Sequence, residues 1–118
     1  MKNFLAYVEE NVTALAKEEQ ALIASSRKDE ANLVKIKSNV YGIAKNMFEV
    51  VQKMTPEENR RTDLLKRLEH LKATWEEAYE KVKSHNDVEK MVVEEVKLET
   101  LNRILDTIRK TETEEAEC

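Results

Sequence analysis

Only a few residues in this chain are of types that do chemistry. His70 and His85 are its two histidines and Cys118 its one cysteine. A carboxylate-bridged metal pair in a helical protein needs Glu-x-x-His on two helices. Position 67 is Arg and position 82 is Val, so neither histidine has that motif. There is no His-Glu-x-x-His and no cysteine pair, so neither metal nor cofactor is expected.

His70 is the residue a phosphotransfer reaction would use. Phosphotransfer domains resemble a four-helix bundle with an exposed histidine, followed by lysine at plus three and glycine at plus four. Here His70 is followed by Leu71-Lys72-Ala73-Thr74, with lysine one place early and no glycine. A phosphotransfer or ligand-binding bundle is therefore the alternative reading. Arg60, Arg61, Arg109 and Lys110, with Lys2 and Lys53, belong at one end of such a bundle and form a candidate anion-binding end. Basic residues near helix C-termini also complement the macrodipole, which explains them without a ligand. With no nucleotide loop, no triad and no carboxylate pair with a substrate pocket around it, the chain is expected not to be an enzyme.

The elements that carry these residues divide at Met54-Thr55-Pro56-Glu57-Glu58, around the single proline. Thr55 suits an N-cap, Pro56 a first helical position, and Glu58 a capping-box carboxylate. Proline drives the residue before it out of the helical region, so the preceding helix should end near Met54. With 118 residues, 41% hydrophobic and 37% charged, one glycine and no strand-like runs, the chain reads as one all-α domain.

Apolar residues at Leu5, Val8, Val12, Leu15 and Leu22 mark a first helix over 2–25. Leu33, Val40, Ala44, Met47 and Val51 mark a second over 29–54. Pairing Leu5 with Val51, Val8 with Met47, Val12 with Ala44, Leu15 with Val40 and Leu22 with Leu33 keeps the paired numbers at a nearly constant total. Antiparallel helices require that. The same register sets Glu19, alone on the first seam, against Lys37, alone on the second, and predicts an ion pair across the hairpin. The rival is an extended coiled-coil hairpin of two long helices, because the three-four spacing continues in phase through Ser26 and Asp29. A coiled coil would not choose those residues for its seam.

Leu64, Leu68, Leu71, Trp75, Ala78 and Val82 define a third helix over 56–83, with Trp75 expected in the core. Ser84-His85-Asn86-Asp87 is a break, and a fourth helix follows over 87–110. It is apolar on two sides: Leu101, Leu105 and Ile108 form one face, and Val88, Val92 and Val96 another. The expected fold is an antiparallel up-down four-helix bundle over residues 1–111, with an acidic disordered tail at 112–118.

The net charge is −4, and Glu112, Glu114, Glu115 and Glu117 alone supply four negative charges. The balanced body gives no reason to expect nucleic-acid binding. The longest apolar run, Phe4 to Val8, is too short for a signal-peptide core or a membrane span. The expected setting is cytoplasmic, which suits a lone cysteine. These features point to a non-catalytic helical interaction protein such as an adaptor, small chaperone or assembly subunit. Its expected partner is another protein or a second copy in a homodimer, held through Val88, Val92 and Val96.

Overall fold

The computed structural model describes residues 3–117, with side chains described for residues 3–110. Four helices follow one another: α1 (Phe4–Ala24), α2 (Lys28–Met54), α3 (Arg60–Ser84) and α4 (Val88–Glu117). A single 3₁₀ turn, Glu57–Asn59, lies between α2 and α3. The all-α four-helix architecture matches the sequence reading. A continuous helix over residues 2–54 is ruled out by the break at Ser25–Arg27. The backbone of α4 runs on to Glu117, through the stretch expected to be a disordered tail. Lys2 and Cys118 lie outside the described residues.

Both hairpin turns use one device. Ser26 has φ 61° and Asn86 has φ 56°, the left-handed conformation that ends helices. The Arg27 N–H donates to the Leu22 carbonyl at 2.8 Å and the Ser26 N–H to the Ile23 carbonyl at 3.0 Å. These two bonds satisfy carbonyls that the end of α1 leaves open, as in a Schellman motif. Asp87 then caps α4, its carboxylate accepting from the Lys90 N–H at 3.2 Å.

The proline junction differs from expectation. Thr55 is extended (φ −123°, ψ 135°), as a residue before proline should be. It caps no helix N-terminus, and α3 begins only at Arg60. The Thr55 hydroxyl donates instead to the Asp63 carboxylate. That bond, with Arg67 nearby, holds the Asp63 carboxyl below its ordinary pKa. The capping box loses because Pro56 (φ −55°, ψ 144°) continues the extended path, carrying Glu58 away from Thr55.

α1 packs on α2 and α3 on α4, and α2 also lies across both α3 and α4. α1 has no comparable contact with α3 or α4. A single apolar core joins Phe4 and Val8 with Tyr41, Ala44, Phe48, Val51, Leu64, Leu68, Trp75, Leu101, Ile104, Leu105 and Ile108. Nearly all of these sit toward the end of the molecule that holds the proline junction. Toward the two hairpin turns burial thins, and no residue of α1 after Val8 is buried.

Aromatic rings pack across the first hairpin. Phe4 stacks on Phe48 with centroids 5.0 Å apart, and Tyr7 meets Tyr41 edge-on at 5.8 Å. The Tyr7 and Tyr41 hydroxyls are 3.3 Å apart. The hairpin forms as expected, but the ion pair does not: among the described residues none joins Glu19 to Lys37. Both side chains are half-buried rather than enclosed, so water reaches them and desolvation does not force them together. Glu19 lies with Lys28 and Lys35 instead.

Candidate functional site

The histidines are apart and on the surface. His70 is exposed on α3, and its backbone carbonyl accepts from Thr74. His85 ends α3, with its Nδ1 2.7 Å from the Lys81 carbonyl oxygen. Among the described residues no group of His, Cys, Asp or Glu side chains is placed to hold a metal ion.

The three arginines of the candidate anion-binding end have protein partners. Arg60 donates to the Thr55 carbonyl at 2.9 Å, and Arg109 reaches Glu69 and Asp106. Arg61 is half-buried and also engaged, and Lys110 is exposed. Of the four, Arg109 has carboxylates within reach, at Glu69 and Asp106.

Trp75 is buried, as its seam position requires, and Lys97 lies over its ring, 4.6 Å from the centroid. Lys97 also pairs with Glu94 at 3.3 Å. On the same helix pair the Tyr79 hydroxyl donates to Glu95 at 2.9 Å, which pushes the phenol pKa upward. Trp75 and Tyr79 therefore join α3 to α4 rather than standing free for a partner.

Among the described residues two further apolar surfaces matter here, beside the exposed Val50 and Met54 at the end of α2. The first is on α4, where Val88 is 69% and Val92 39% exposed, while Val96 is half-buried. The same helix is fully buried at Leu101, Ile104 and Leu105. The valine row is not turned into the core: Val88 and Val92 stay exposed while residues further along the helix are enclosed.

The second surface escaped the sequence reading. A groove of about 610 Å³ runs between α1 and α2, lined by Val8, Val12, Gly42 and Ile43, with Glu9 on one rim and Lys45 on the other. A smaller groove, about 290 Å³, continues it between Glu19 and Ile23 on α1 and Lys28, Ala31 and Lys35 on α2. Val12 and Glu19, and likewise Lys35 and Gly42, are seven residues apart, so both grooves lie on one face of the hairpin. The opposite face carries Tyr41, Phe48 and Val51 into the core. Gly42, the only glycine in the chain, gave a signal: a helix interior places glycine at a cost, and a Cβ there would meet nothing within 4 Å.

No family model matches this sequence, and no curated protein or solved structure matches it either. Among the described residues no helix is long and apolar enough to cross a membrane.

Proposed function

We propose that this chain is a non-catalytic interaction protein whose first half of α4 takes the apolar stripe of a partner helix. The exposure of Val88 and Val92, one turn apart on a helix that is otherwise a core element, carries this reading. Such a row, left in water, favours whatever covers it, at roughly 25 cal/mol for each Å² removed from solvent. The reading is supported further by the engagement of the basic end and of Trp75 within the chain itself.

The test is comparative capture from the source cell with immobilised full-length chain, native or carrying Val88→Asp and Val92→Asp. A protein retained by the native chain and lost with the double variant supports the reading. Identical recoveries with both chains would remove α4 from any role in recognition. Both positions are exposed, so the variant should keep the native helical circular dichroism.

A further inference from the structure

We infer that the outer face of the α1–α2 hairpin binds a second copy of this chain about a two-fold axis running along the groove. The groove has an apolar floor that includes Val12 and Ile43, each half-buried and partly open to solvent. Its charges are sorted by helix. The ionised residues lining the grooves from α1 are Glu9 and Glu19, both acidic; those from α2 are Lys28, Lys35 and Lys45, all basic. None of the five makes an ion pair among the described residues. Elsewhere, on α3 and α4, acids and bases three or four residues apart pair along their own helices, as Arg67–Asp63 and Arg103–Glu99 do.

A face whose groove-lining charges are acidic on α1 and basic on α2 is its own electrostatic complement. A two-fold axis parallel to the helices sets α1 of one copy over α2 of the other and leaves heights along the groove unchanged. Glu9 shares its groove with Lys45 and Glu19 shares its groove with Lys35. The same operation therefore brings Glu9 to the second copy's Lys45 and Glu19 to the second copy's Lys35. This is an isologous contact, in which one patch serves both sides and the assembly closes at two. Like charges would meet if α1 lay on α1, so the sorting also selects among possible pairings.

Gly42 fits the same geometry. Val12 and Gly42 line one groove, so the two-fold lays Val12 of one copy over Gly42 of the other. Without a Cβ, Gly42 leaves a hollow that this side chain fills. The size is adequate: a 21-residue helix is roughly 31 Å long, and a face two helices wide covers roughly 600 Å² per copy. Roughly 1,200 Å² in total is where specific interfaces begin. This surface is distinct from the α4 valines, so either proposal can fail alone.

Analytical ultracentrifugation of the full chain at micromolar concentrations and low salt tests the inference. The native chain should sediment as a concentration-dependent dimer. The variant Glu9→Lys with Glu19→Lys, and separately Lys35→Glu with Lys45→Glu, should each associate at least tenfold more weakly. Mixed in equal amounts, the two variants should recover a heterodimer, since every edge then meets its opposite. Gly42→Leu should also weaken association while leaving the monomer at least as resistant to urea, because a Cβ there meets nothing within 4 Å and glycine is unfavourable in a helix interior. A native chain that stays monomeric, reversed variants that dimerise as well as the native one, or two folded variants that do not rescue each other when mixed would each overturn the assignment. If a reversed variant fails to fold, Gly42→Leu decides alone, and unchanged dimerisation there overturns it.

Discussion

Tyr41 is buried while its hydroxyl meets only Tyr7, itself half-exposed. Burial first, and then the Tyr7 hydroxyl, push its pKa well above the ordinary tyrosine value. The consequence for stability has a definite sign. Below about pH 10 the phenol is protonated in both states and its contribution is fully present. Above that, the unfolded chain gives up the proton while the folded chain keeps it, so stability falls as pH rises. Tyr41→Phe should flatten this fall between about pH 10 and pH 11.5. At neutral pH it should cost about 1 kcal/mol or less, since Tyr7 can turn to water. Urea unfolding midpoints of both chains across that range check it, and parallel alkaline slopes would contradict it.

At the scale of elements the two hairpin turns are the informative features. Ser26 and Asn86 both adopt a left-handed conformation in which glycine has no penalty. Serine has less claim to that conformation than asparagine, whose short amide tolerates it. Ser26→Gly should therefore stabilise the chain by about 1 kcal/mol, and Asn86→Gly by less. Chemical denaturation gives both values, and a destabilised Ser26→Gly would mean that the serine side chain matters more than its backbone. Both breaks were legible from clusters of serine, asparagine and charge, and all four helices from their apolar spacing. Two things were not. The capping box at Thr55 depended on where Pro56 sent the chain, which local preference does not determine. The Glu19–Lys37 pair assumed an enclosed seam at both positions, whereas each side chain is half-buried and reached by water. The outer groove was hidden for a related reason. Apolar spacing shows that a helix has a buried face, but not that its neighbour covers only part of it.

For the whole molecule the main fact is the gradient of burial. Leu101, Ile104 and Leu105 are fully enclosed, whereas Leu15, Leu22 and Leu33 are only half-buried. Leu105→Ala should cost about 2–5 kcal/mol, as a truncation in a closed core does. Leu22→Ala should cost about 1 kcal/mol, because the methyl groups it removes were already partly in water. Amide hydrogen exchange should show the same order: residues 101–108 exchange only on global unfolding, and those near 20–32 by local opening. Equal protection at both ends would show that the hairpin tips are as firmly held as the core.

Pro56 has a consequence for how the chain is threaded. Each hairpin closes on itself, and they are joined by one short stretch that is extended at Thr55 and Pro56 and then makes the single turn Glu57–Asn59. If Thr55 and Pro56 were helical, α2 and α3 would fuse into a rod of roughly 85 Å. The two hairpins of one chain would then be held apart, and each would find its mate on another molecule, giving an exchanged dimer with the same contacts. The proline ring forbids that path by keeping Thr55 extended. A single pyrrolidine thus favours the bent path on which the two hairpins of one polypeptide meet.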